Sequence, residues 1–241
     1  MLIPLLITLT FVAIHLSTTY LKVLNRVPRS KFLSVAGGVA VSYALIRILP
    51  ELSENQETIE ELLTNNFLQS LESHIYVISL FGLTVFYGLE RMSKLSKDKK
   101  EDTDQTALKS VFWIHLTSTA IYNAVTGYLL VNRENDSLVS LLLYATAIGL
   151  HFFVVDQGLR VHYKSVYDKY GRWILSFGSV FGFVLGYTLE INQFVVSALF
   201  AFLAGGIILN ILKEELPEQR KSSFTAFVSG VVGYSVLLLL T

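Results

Sequence analysis

Apolar residues in this chain gather into eight runs, about 2–21, 32–50, 74–92, 110–131, 139–159, 173–189, 194–212 and 224–241, with polar stretches between most of them. Runs of this length match the ~30 Å of hydrocarbon that a helix must cross. None shows the strict alternation of a strand, and lipid offers no partner to an unpaired backbone amide, so the pattern predicts helices throughout. The expected fold is an all-α integral membrane protein, one transmembrane domain over 1–241 with eight transmembrane helices. The first run lacks a basic leader and an A-x-A cleavage site, so it reads as a retained helix rather than a signal peptide.

Charge refines that picture by its position more than by its amount. Charged residues make up 16% of the chain, against about 25% in a soluble domain. Net charge is zero, which gives no electrostatic case for a nucleic-acid partner. Cysteine is absent, which excludes disulfides and thiolate metal sites. All Lys and Arg except Arg47 and Arg133 fall beside the ends of runs 1, 3, 5 and 7. By the positive-inside rule those four loops face the cytoplasm and both termini lie outside. Trp113 and Trp173 then sit at the cytoplasmic starts of runs 4 and 6, as an aromatic belt requires. The loop 93–109 becomes a charged cytoplasmic loop. The segment 51–73 holds six acidic residues and no basic one, with Ile59, Leu62, Leu63, Phe67 and Leu71 on one helical side. It reads as an external amphipathic segment with a solvated polar face; the alternative is that its carboxylates gather cations at an outer mouth.

One phrase is written twice: "VAGGVAVSYALIRILPE" (35–51) and "LAGGIILNILKEELPE" (203–218). Small residues let two helices approach closely, and the closing Leu-Pro-Glu reads as a helix stop. With the topology above, the two copies run in opposite directions across the membrane. Runs 1–3 and 6–8 are then inverted repeats around runs 4 and 5, an arrangement common in secondary transporters. The first copy resembles the second transmembrane helix of the ZIP (Zrt/Irt-like) metal transporters, and the second copy is similar to that family's seventh helix. The resemblance implies a ZIP-like 3+2+3 inverted-repeat bundle with a divalent metal held midway between helices 4 and 5.

On the fourth helix the family carries His-Asn-x-x-Asp/Glu-Gly. The matching stretch here is "YNAVTG", so Asn123 and Gly127 fit while Tyr122 and Thr126 replace the imidazole and the carboxylate. On the fifth, alignment on Gly158 gives Phe153 and Gln157. Alignment by membrane depth gives His151 instead, with Asp156 one residue beyond the family's second position. Tyrosine, threonine and glutamine are poor ligands for a divalent transition metal, so the ordinary zinc-type set is largely missing. His151 and Asp156 remain as the metal candidates. Run 4 also carries His115, Thr119, Tyr122, Asn123 and Thr126 on one helical face. Together with His151, Asp156 and Gln157 these are the expected substrate pathway. His15 reads as an interhelical hydrogen-bonding residue. Asp156 with Arg160, and Arg47 with Glu51, read as local ion pairs at i,i+4. Lys213, Glu214 and Glu215 read as a solvated helix end.

The functional expectation is transport of a small solute or cation, with a divalent metal ion as one substrate and no certain cofactor. The alternative is a non-transporting relative with a structural, lipid-binding or partner-regulating role. No nucleophile–base pair or multi-His cluster occurs at useful spacing, so an enzyme is not expected. Expected partners are the lipid bilayer, the solute and a second copy in a homodimer; the expected location is the plasma (inner) membrane of a prokaryote.

Overall fold

The computed structural model describes residues 2–20, 31–62, 74–98, 105–132, 137–212 and 223–240. Eight helices occupy them: α1 (2–17), α2 (31–62), α3 (74–98), α4 (105–131), α5 (138–166), α6 (172–188), α7 (193–210) and α8 (224–239). No strand occurs among the described residues. Three stretches are long and apolar enough to cross a membrane: 31–57, 138–160 and 193–210. Helices α1, α8 and the 74–89 part of α3 are apolar but shorter. Helix α4 is diluted by His115, Thr117, Ser118, Thr119 and Asn123.

Two expected boundaries move. Leu49-Pro50-Glu51 does not stop α2, which continues to Leu62. Proline has no N–H to give, and its ring crowds the carbonyl four residues back. The helix accommodates it by widening into a π turn over Ala44–Ile48, where the Leu49 N–H reaches Ala44 O. The acidic residues 51–62 therefore extend α2 instead of opening a separate segment; 63–73 lie outside the described residues, as do the second Leu-Pro-Glu and Lys213, Glu214 and Glu215. The stretch 160–172, expected as a loop, is helical. The helix kinks at Tyr163 (φ −136°, ψ 41°), and a π turn over Tyr167–Gly171 leads into α6.

Glycine positions the bundle. In three helix pairs a glycine of one helix lies against the backbone of the other, so closely that a Cβ would overlap it. Gly38 of α2 meets Phe227 O and Val231 N of α8, and Gly230 meets Val35 O in return. Gly205 of α7 meets Ser79 O and Leu83 N of α3, with Gly82 against Phe202 O. Gly178 and Gly182 of α6 meet Ala120 O and Ala124 O of α4, and Gly127 meets Ser179 O. The constant offset along each seam makes each pair parallel. Both Ala-Gly-Gly phrases thus serve the close approach their composition predicted. Apolar side chains lie exposed along α1 (Leu2, Leu6, Leu9), α3 (Val77, Leu80, Phe81), α6 (Phe177, Phe181, Val184) and α8 (Val232, Val236, Leu239). The principal core cluster instead gathers around α2, α4, α5 and α7.

Candidate functional site: a cavity and a buried His–Asp–Asn cluster

A cavity of about 250 Å³ opens among α2, α4, α5 and α7, the four helices of that core. The π turn of α2 and the residue before it form one wall, presenting Tyr43, Arg47 and Ile48. Such widened turns recur at functional sites because they re-aim side chains without ending the helix. Glu51 and Glu54 stand one and two turns further along the same wall, so two carboxylates and one guanidinium border the space. The Tyr43 and Tyr144 rings meet edge-on at 6.1 Å between α2 and α5. Ile148, Leu203 and Ile207 supply the apolar lining.

One turn beyond Ile148 along α5 the packing becomes aromatic. The buried His151 ring lies 5.8 Å from Tyr122 of α4 and 6.5 Å from Phe152. Phe152 in turn lies 5.0 Å from both Phe11 and His15 of α1. It therefore separates the two histidines, with His151 on one side and His15 on the other.

Beyond Phe152 lies a buried polar group. His15 Nδ1 is 2.8 Å from Asp156 Oδ2, and His15 Nε2 is 3.0 Å from Asn123 Nδ2. Asn123 Nδ2 also donates to Leu175 O of α6 at 3.3 Å. Four helices meet here, and His15, Asn123 and Asp156 are each no more than 1% exposed. The carbonyl of Leu175 accepts only, which orients the Asn123 amide with its NH₂ inward. His15 Nε2 must then accept, so Nδ1 carries the proton and donates it to the carboxylate. Asp156 Oδ1 and Asn123 Oδ1 have no hydrogen-bond partner among the described residues.

Arg160, the expected partner of Asp156, points elsewhere. Its Nε and Nη2 fork onto both oxygens of Asp168, at 2.8 and 3.3 Å. The Tyr167 hydroxyl, at the turn into α6, is fully buried and makes no hydrogen bond of ordinary length. Burial, and behind it the nearby Asp156 carboxylate, push that hydroxyl well above the usual tyrosine range, so it stays protonated.

The sequence candidates thus divide into two groups. Tyr122 and His151 are brought together on one side of Phe152; Asn123 and Asp156 are brought together on the other, through His15. His151 and Asp156 contact different neighbours and do not converge. Thr119 and Thr126 are buried, but their hydroxyls return to the carbonyls of His115 and Tyr122 in their own helix. His115 is half-buried two turns from Asn123, and Gln157 is buried beside Asp156. Among the described residues no three His, Asp or Glu side chains form a group able to hold a metal ion. Sequence reasoning left out the cavity residues Tyr43, Arg47 and Tyr144, and left His15 off the pathway. The available signal for His15 was a second ionisable side chain inside an apolar run, needing a partner as Asp156 does.

No protein-family model, curated protein or solved structure matches the chain. Its own geometry therefore carries the functional conclusion.

Proposed function

We propose that the chain is an eight-span membrane protein that carries a small solute, in the first place a cation, through the space between α2, α4, α5 and α7. The observation that carries this reading is the 250 Å³ cavity among the four core helices, bordered by Arg47, Glu51 and Glu54. Its two carboxylates outnumber its one guanidinium and so attract cations. The exposed apolar belt on α1, α3, α6 and α8 supports a lipid-facing ring, since an apolar surface of that extent is not left to water. Helix pairing fits an inverted repeat as well. Exchanging α1–α3 with α6–α8, and α4 with α5, turns the α2–α8 contact into α7–α3 and the α4–α6 contact into α5–α1, and all four are packed pairs. That order is the 3+2+3 arrangement of the ZIP transporters, and kinship with them belongs to the proposal. With Tyr122 and Thr126 where that family has ligands, the cargo is held more loosely than in a transition-metal cage.

A second reading has its own supporting observation. The cavity lining ends at Ile148, Leu203 and Ile207 and does not include Asn123 or His151. A packed aromatic layer beyond the cavity also suits a protein that binds a ligand from one side and carries nothing across. Flux into proteoliposomes separates the two, tested with zinc, iron, manganese, cobalt, potassium and small organic ammonium ions. The transport reading expects uptake of at least one, abolished by Ile148→Trp, which fills the cavity. Binding without uptake of any of them overturns transport and leaves the second reading standing.

A further inference from the structure

We propose that His15, Asp156 and Asn123 form a proton-binding site inside the bundle, and that Asn123 reports its occupancy to α6. The hydrogen bonds around His15 require one protonation state. With the Asn123 amide held by Leu175 O, the imidazole is neutral and the Asp156 carboxylate carries an uncompensated negative charge. That charge is buried, its Oδ1 accepts no hydrogen bond of ordinary length among the described residues, and its other neighbour, the Tyr167 hydroxyl, is neutral and cannot balance it. The nearest potential counter-ion on the same helix, Arg160, is already forked onto Asp168. A buried charge without an opposite partner is unfavourable, and one proton removes the imbalance by turning the pair into imidazolium and carboxylate.

The proton has one open place on the ring. Nδ1 already holds a hydrogen, so the incoming proton binds Nε2, whose lone pair now accepts from Asn123. Once Nε2–H is formed it needs an acceptor, and the unpartnered Asn123 Oδ1 is the acceptor one amide rotation away. That rotation takes the NH₂ group off Leu175 O, so loading the proton breaks a tie between α4 and α6. Unloading restores it. The site is thus built so that a proton gained on α1 and α5 changes a contact across the α4–α6 seam.

The surroundings favour a proton over a larger ion, because aromatic and aliphatic side chains pack closely around the cluster. Titratable or charged groups on the elements around it are His151 on α5 behind Phe152, Arg160 with Asp168, Tyr167, His115 on α4, and Arg172 of α6, which reaches Thr19 Oγ1 one turn along from His15. Asp168 neutralises Arg160, Tyr167 stays protonated and His115 lies two turns away. His15 is the one of these groups that touches Asp156, and so the one placed to hold the added proton. Coupling this proton to a moving solute rests on the transport reading above; the site itself does not.

Imidazole nitrogen resonances of the full chain in lipid nanodiscs test the site without any solute. The expected result is one histidine in the Nδ1–H tautomer at alkaline pH that becomes an imidazolium on acidification. Its signals vanish in His15→Gln, survive in His74→Gln, and in Asp156→Asn shift their midpoint to lower pH by about one unit or more, roughly tenfold in proton affinity. A His15 ring that keeps one form throughout, or titrates alike in wild type and Asp156→Asn, overturns the proposal. If Asp156→Asn does not fold, Asn123→Leu takes its place. Without an acceptor for Nε2–H the midpoint again falls, and an unchanged midpoint counts against the proposal. Solute flux that continues without a pH gradient, beside a titrating His15, would reject the coupling and keep the site.

Discussion

The two halves of α5 face opposite physical problems. Around Tyr144 and Ile148 the helix borders open space, and the charges there stand at a rim. Around Asp156 it is buried, and the paired oxygen of that carboxylate depends on one neighbour, His15. At a solvated rim a charged group is cheap and its position loosely specified. In a dry interior the same group is costly unless paired, so its partners are fixed by geometry. Substitutions at the two ends should therefore differ in kind: the rim governs what binds, and the cluster governs whether the bundle holds.

The largest effect expected is on the seam that both ends share. A Cβ at Gly182 would lie 1.9 Å from Ala124 O, so Gly182→Leu must separate α4 from α6. It should cost about 3 kcal/mol or more and leave little folded protein in a thermal unfolding assay. Gly233→Ala, where nothing lies within 4 Å, should be neutral or gain up to about 1 kcal/mol. Next comes His15→Ala, which strands Asp156 and should cost about 3–5 kcal/mol in the same assay. Asn123→Leu leaves Leu175 O and His15 Nε2 without their donor and should cost about 1–2 kcal/mol. The smallest change in stability is expected at the rim. Glu51→Gln and Glu54→Gln should stay within about 0.5 kcal/mol of wild type while weakening cation binding, measured by titration calorimetry. Equal destabilisation at both ends would erase the contrast.

Much of the helical layout was legible because a membrane-length helix needs a long apolar run, and such runs are hard to mistake. Two of the three glycine seams were legible too, from the two Ala-Gly-Gly phrases; the α4–α6 seam was not. Pro50 misled, because a proline that normally ends a helix was absorbed by a π turn that no spacing announces. The stretch 160–172 misled because its tyrosines, lysines and Asp168 read as loop, which hid Asp168 as the better partner for Arg160. His15 was legible as an interhelical hydrogen-bonding residue, but with Arg160 taken to be held by Asp156 no spacing paired Asp156 with His15, 141 positions away in the chain. Local spacing finds partners one turn apart; a partner across a helical bundle depends on packing angles that the sequence does not display. For the same reason the helical-face argument grouped Tyr122 with Asn123, although one turns toward α5 and α3 and the other toward α1 and α6.

Helix α5 should be wet at one end and dry at the other, and the absence of cysteine allows a direct test. Single cysteines placed in turn at 144, 148, 152 and 156 can be exposed, in nanodiscs, to a membrane-impermeant thiol reagent. Modification at 144 and 148 with protection at 152 and 156 is the result expected. Labelling that reaches 152 and 156 as readily as 144, or that fails at 144 and 148, would contradict it.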